Sequence, residues 1–305
     1  MHTKAALTVA GGHLESLAGH VFDLLTVSKP ISQDAAINLS KVISKLSPLL
    51  GNLIEFNCVD FLNAKTEFAD HGRWQRQDPG FPDVIYKGSI APTPGFEIKA
   101  WFPLATEITG RFKDSQNHFD DDNTNVCLLA WLPEHIIYGK PYILDVFITS
   151  GKSVAKARDD HYHNPPDYIV MEPQDTSSRT VNLQQTNTNG LKFQGTPKDF
   201  AEAQKIVAGW GAGGRTYRPS AEYQTLLKDL TSRFTYRLDT NFAKMDRIVH
   251  PGLEEFKTKV MGTRVNGMTV RQWERLFRSD DENAVRRTLA EKLRIREEAV
   301  EHLLV

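Results

Sequence analysis

The chain is poor in the features that fix a protein's class at once. It has two cysteines in 305 residues, Cys58 and Cys127. Both lie in apolar runs, FNCVDF and NVCLLAW, where they read as small buried hydrophobes in a reducing compartment. A cysteine-based zinc site is excluded by the count. Neither sign of charge prevails, since the formal net charge is −1. There is thus no global basic excess of the kind that announces nucleic-acid binding, although a cleft needs only local positive potential. No apolar stretch approaches the length of about 18 residues that suggests a membrane helix. The opening MHTKAALTVAGGH is too short and mixed for a signal peptide, so a cytoplasmic protein is expected. No internal repeat is visible.

What is present suits a globular chain with a sizeable core: 40% hydrophobic and 25% charged residues. Residues 11–27 carry Leu14, Leu17, Val21, Leu24 and Leu25 at helical spacing, ended by Lys29-Pro30. Ser32 is a natural N-cap for a long helical segment through Leu62, interrupted near Pro48 and Gly51, with Glu55 amid apolar neighbours. Residues 66–80 turn polar and irregular. VIY after Asp83 and FEIKAWF read as strands, with the Pro and Gly of APTPG returning the chain between them. A short helix is expected near 105–119. The runs VCLLAWL (126–132) and YILDVFIT (142–149) predict central strands covered on both faces. A polar segment follows, with a short strand at YIVME, an Asn/Gln-rich ribbon and a helix over 199–207. GWGAGGR is a linker, because it lacks the Lys-Ser/Thr ending of a phosphate-binding loop. From Ser220 onward helix dominates, ending in an amphipathic segment from Glu282 that needs a partner surface. Helices before and between four strands predict an α/β fold with a central mixed β-sheet.

The most informative stretch is FPDVIYKGSIAPTPGFEIKAWF. Pro82-Asp83 is followed by thirteen residues and then Glu97-Ile98-Lys99. Alternation along the second strand places Glu97 and Lys99 on one face and Phe96 and Ile98 on the other. An aspartate at a strand end, with a carboxylate and an amine two residues apart on the partner strand, can hold a divalent metal beside a phosphate. Mg²⁺ prefers oxygen ligands, which Asp83 and Glu97 supply and to which the Ile98 carbonyl can add. Lys99 can orient a water and offset charge on a phosphoryl group. Either half of the motif alone is common, and a surface Glu-x-Lys is usually a solvated face.

Pro82-Asp83, the spacing and Glu97-Ile98-Lys99 together resemble the signature of the PD-(D/E)XK nuclease superfamily. That resemblance covers about residues 49–150 and implies a restriction-endonuclease-like core, Mg²⁺-dependent phosphodiester hydrolysis, double-stranded DNA as substrate and a homodimer. It implies a type II restriction endonuclease of a prokaryotic cytoplasm, or a nonspecific nuclease or non-cleaving DNA-binding protein of the same fold. It also implies that a glutamate of the preceding helix joins the metal, for which Glu55 is the candidate and Glu67 the substitute. The expected division is a nuclease core over 1–208 and a mainly helical region over 209–305, as two domains or as parts of one.

Base reading needs side chains with paired donors and acceptors. Arg111, Lys113, Ser115, Gln116 and Asn117 follow the motif closely, and the ribbon offers Arg179, Asn182, Gln184, Gln185, Asn187 and Asn189. Arg73, Arg76 and Lys87 are candidates for phosphate contacts, which fix register without reading sequence. His161, His163 and Asn164 in DDHYHNPPD pair histidine with asparagine as ββα-metal nucleases do, but the family's surrounding pattern is lacking and a polar loop is expected. Asp120, Asp121 and Asp122 read as a solvated acidic loop.

Overall fold

The computed structural model describes the chain except for residues 78–79, 105–118, 120–121, 164–167, 172–188, 194, 217, 219, 241–248 and 296–305. The expected helix near 105–119 therefore lies almost wholly outside the described residues. The rest is α/β. Its contacts divide it into two compact units, residues 1–157 with 249–305, and residues 158–248. This line differs from the expected one after residue 208, because helices after residue 249 pack with the N-terminal elements. Among the described residues no helix is long and apolar enough to cross a membrane.

The first unit is built on a five-stranded mixed sheet of β1 (Gly72–Arg76), β2 (Val84–Gly88), β3 (Gly95–Trp101), β4 (Thr124–Pro133) and β5 (Pro141–Ser150), ordered as in the chain. Only β3 and β4 run parallel. Helices flank both faces. Ile148 of β5 meets α1 (Thr3–Glu15) at Gly11, whereas Phe147 stacks on Phe256 of α7 (Pro251–Gly262) at 5.6 Å. Successive strand residues point to opposite faces, so α1 and α7 cover opposite sides. On the side of α1, α3 (Ser47–Asn63) brings Gly51 against Ala100 of β3.

Several sequence expectations change for physical reasons. Of the helix expected over 11–27 only residues 11–15 are helical, as the end of α1, which stops at Glu15. Beyond it, Gly19 takes φ +85° and the chain runs out along β5, with Gly19 N–H donating to Ile143 O and Phe22 N–H to Pro141 O, both at 2.8 Å. Phe22 is buried there, whereas Val21, Leu24 and Val27 are half-buried and Leu25 is exposed, because an extended segment does not keep them on one face as a helix would. β4 is buried along nearly its whole length, as expected, but β5 is the last strand of the sheet and not a central one. The irregular 66–80 segment contains β1, whose one large apolar residue, Trp74, is too little pattern to read. Asn63 at the end of α3 fixes β1, accepting the Trp74 N–H at 2.8 Å and donating to the Trp74 carbonyl at 2.9 Å.

The helical segment after Ser32 forms, with its interruption at Ile43–Leu46 and not at Pro48 and Gly51, both of which lie within α3. Ser32 Oγ accepts the Ala35 N–H and opens α2 (Gln33–Val42). A tightened turn over Ile43–Leu46 separates it from α3. Pro48 lies in the first turn of α3, where a missing N–H is harmless. Toward the C-terminus, α8 (Val270–Phe277) and α9 (Glu282–Leu293) complete this unit. The amphipathic α9 buries Val285, Leu289 and Leu293 and finds its partner in α2, across which Arg286 pairs with Asp34 at 2.6 Å and Glu282 with Lys41 at 3.0 Å.

The second unit contains a three-stranded antiparallel sheet of β6 (Tyr168–Met171), β7 (Asn189–Phe193) and β8 (Tyr236–Thr240). With it go α5 (Pro197–Ala208) and α6 (Ala221–Arg233). Phe193, Ala203, Val207, Tyr223 and Leu230 form its core. β8 replaces helix expected there, because TYRLDT can pair with β7 along its full length. The loop expected around His161 and His163 is instead the end of α4 (Gly151–His163). GWGAGGR closes α5 and turns the chain, with Gly211 and Gly213 at φ +88° and +78°.

Candidate active site

The site forms where the pairing of β3 stops. β2 and β3 are paired only at Val84↔Phe96 and Ile85↔Gly95. Past Phe96, the edge of β3 therefore faces the Asp83 side chain and not a strand. Asp83 Oδ2 accepts the Ile98 N–H at 2.8 Å, so the carboxylate completes a ladder position that the backbone leaves open. In return the Asp83 N–H donates to Glu97 Oε2 at 3.2 Å. A strand residue presents its N–H and C=O to the same side, so the Ile98 carbonyl is turned to the edge that Asp83 occupies.

Glu97 and Lys99 share a strand face, as their spacing predicts. Lys99 Nζ bridges the two carboxylates, 2.6 Å from Glu97 Oε1 and 2.9 Å from Asp83 Oδ2. The structure thus brings Asp83, Glu97 and Lys99 into one hydrogen-bonded cluster. The Glu97 side chain is only 9% exposed. Burial lifts its carboxyl above the ordinary range against the pull of Lys99, with Asp83 adding to the rise. Burial alone would lower the Lys99 amine, but Glu97 and Asp83 outweigh it and hold the amine above its usual value. Lys99 is therefore a cation at neutral pH and cannot accept a proton there.

Glu55, at the middle of α3, is pushed up to about 7, first by burial and then by Asp83, while Lys99 and Arg76 draw it down. It belongs electrostatically to the cluster. Its ionic contact, however, is Arg76, whose Nη2 lies 3.6 Å from Glu55 Oε2. Arg76 was expected at a phosphate. Its guanidinium lies over the Phe56 ring, 3.9 Å from the centroid, and Nη2 donates to Asn52 Oδ1 at 3.5 Å. The triad of Asn52, Phe56 and Arg76 that positions Glu55 escaped the sequence reading; the i, i+4 spacing of Asn52 and Phe56 on one helix face was the available signal.

The other candidates separate from this cluster. Arg73 and Lys87 are exposed and sit directly opposite one another across β1 and β2. Glu67 is paired with His13 at 3.1 Å and is no part of the site. Asp122 is tied down by Ser150, whose Oγ donates to Asp122 Oδ1 at 2.7 Å; Asp120 and Asp121 lie outside the described residues, as do Arg111, Lys113, Ser115, Gln116 and Asn117. The same holds for Asn164, Arg179, Asn182, Gln184, Gln185 and Asn187, while Asn189 is the first residue of β7. Cys58 and Cys127 are free, buried thiols whose pKa values burial raises, as expected of inert core residues.

Among the described residues no three His, Cys, Asp or Glu side chains gather as a metal centre. The donor set at the end of β3 is smaller, two carboxylates and one carbonyl. It is all oxygen, and a pair of carboxylates is what a magnesium site draws from a protein when substrate phosphate and water supply the rest. The residues present therefore fit a hard divalent cation at Asp83, Glu97 and Ile98. Comparison of the chain with protein-family models, with curated proteins and with solved structures finds no match.

Proposed function

We propose that the chain is a Mg²⁺-dependent type II restriction endonuclease, which hydrolyses phosphodiester bonds of double-stranded DNA at a short specific sequence and acts as a homodimer on a restriction-endonuclease-like core. The observation that carries this reading is the convergence of Asp83, Glu97 and Lys99 at the open edge of β3. Asp83 and Glu97 would hold the metal, with the Ile98 carbonyl beside them. When bound, it supplies charge neutralisation at the phosphate and a water of lowered pKa. Lys99, held protonated, donates to a phosphoryl oxygen or orients the water, and its charge complements the one that grows on the phosphate. The exposed Arg73 and Lys87 contribute positive charge to the DNA backbone.

A single experiment separates this reading from its neighbours. The protein is incubated with a long DNA of known sequence and Mg²⁺, then with EDTA, and then as the Lys99→Ala and Glu97→Ala variants. Discrete fragments that vanish with EDTA are expected, with both variants slower by a factor of about 10² or more. A smear would make the enzyme nonspecific, and intact DNA shifted in a gel would make it a binding protein. Cutting by either variant at the wild-type rate would overturn the site.

A further inference from the structure

The outer face of α3 is apolar where a surface helix is ordinarily polar. Leu49 is 54% and Phe56 48% exposed, and Leu53 and Leu46 are half-buried. Their separations are 3, 4 and 3 residues, the spacing of the seam in a two-helix coiled coil. Leu46 lies just before α3, yet it continues the row, because the backbone stays helical across the junction with φ, ψ of −78°, −14° at Leu46 and −54°, −43° at Ser47.

This row is its own complement. Turned end for end about residue 51, it sets Leu49 against Leu53 and Leu46 against Phe56. Charge then selects the direction. Lys45 and Asp60 are exposed at opposite ends of the row. A parallel pairing would bring lysine to lysine and aspartate to aspartate, whereas an antiparallel pairing brings each Lys45 within one helical turn of Asp60 in the other copy.

We propose that two copies of this chain pair through α3, antiparallel about a two-fold axis that crosses its outer face at the level of residue 51. The seam from Leu46 to Phe56 is about 15 Å long, and four side chains fall short of the roughly 1,200 Å² that stable interfaces bury. The dimer is accordingly weak and forms with rising concentration. Its contact would cover the Phe56 ring on which Arg76 lies. The pairing assigns an interface to the homodimer of the proposed function and rests on that reading for the two copies, while its argument from the helix surface uses no DNA cleavage.

The test is sedimentation equilibrium of the full chain from about 1 to about 200 µM, the range in which a micromolar dissociation constant is read, without DNA or added metal. The wild type should pass from monomer to dimer. Leu49→Glu, at an exposed position, should remain monomeric to at least tenfold higher concentration with unchanged circular dichroism and melting. Lys45→Glu should weaken the dimer, and Lys45→Glu combined with Asp60→Lys should restore it. A wild type that stays monomeric, or a Leu49→Glu variant that pairs normally, overturns the proposal. Failure of the double charge reversal to restore pairing overturns the antiparallel arrangement on which it rests. Because no step uses DNA, a monomeric wild type removes the homodimer from the proposed function but leaves its cleavage chemistry standing, and a failure to cleave DNA leaves the pairing standing.

Discussion

Two strand pairs of the five-stranded sheet, β4–β5 and β2–β3, are built on opposite terms. β4 and β5 pair from Asn125↔Ser150 to Pro133↔Pro141, broken only by an irregularity at Ala130/Trp131, and β4 is buried almost throughout. β2 and β3 pair at only two positions and then part. Continuous apolar text makes the first pair, which runs strand against strand over nearly the whole length of both. In the second pair the ladder stops early, and the Ile98 N–H would be left open but for Asp83. An unsatisfied buried N–H costs about 1–3 kcal/mol. The need to satisfy the backbone thus aims the Asp83 carboxylate at Glu97 and Lys99. Asp83, Glu97 and Lys99 gather where the β2–β3 ladder stops.

That contrast can be broken by experiment, beginning with the β4–β5 pair. Trp131 is fully buried on β4 and lies 5.1 Å from Phe102 between ring centroids. Trp131→Ala should remove about 3–5 kcal/mol of stability, measured by urea unfolding. A loss below about 1 kcal/mol would mean that this pair is not tightly packed.

Beside the β2–β3 pair the expected effect is smaller and depends on pH. The Glu55 carboxyl is raised to about 7, so the folded state favours the protonated form. Its contribution is intact below the unfolded value and is lost as pH rises through the folded one. Glu55→Gln should therefore stabilise the protein at pH 8 by about 1–3.5 kcal/mol, the upper end being the full shift from 4.5 to about 7 at about 1.4 kcal/mol per unit, and do almost nothing at about pH 4. Equal effects at both pH values would show that burial and Asp83 do not set this group's titration.

The smallest effect belongs to the exposed hairpin. Arg73 and Lys87 face each other across β1 and β2, and like charges directly opposite are unfavourable by a few tenths of a kcal/mol. Lys87→Gln should raise the melting temperature slightly while reducing the salt dependence of DNA affinity by about one unit of slope. An unchanged slope would remove Lys87 from the proposed DNA interface.

Strand text on both sides of APTPG, the two apolar strands downstream and the Ser32 cap were legible because each is a local pattern that local physics enforces. Glu97 and Lys99 on one face followed from the period of a strand alone. β1 and β8 were not legible, since a five-residue strand with little apolar alternation is made by its partner, β1 by the Asn63 clasp and β8 by β7. The helix expected over 11–27 failed for the converse reason. Leu14 and Leu17 are buried at the end of α1 and in the turn after it, whereas on the extended segment along β5 Leu24 is half-buried and Leu25 exposed.

By itself, then, the sequence determined which residues could do chemistry: an aspartate before a strand, and a glutamate and a lysine at the spacing that puts them side by side. Only the tertiary structure decided that they meet, because the distance from Asp83 to Lys99 depends on where the pairing of β2 with β3 ends and not on either segment alone. It also decided the charge of each group. Burial is a property of everything packed around a side chain, and it raises Glu55 and Glu97 while the paired carboxylates keep Lys99 protonated.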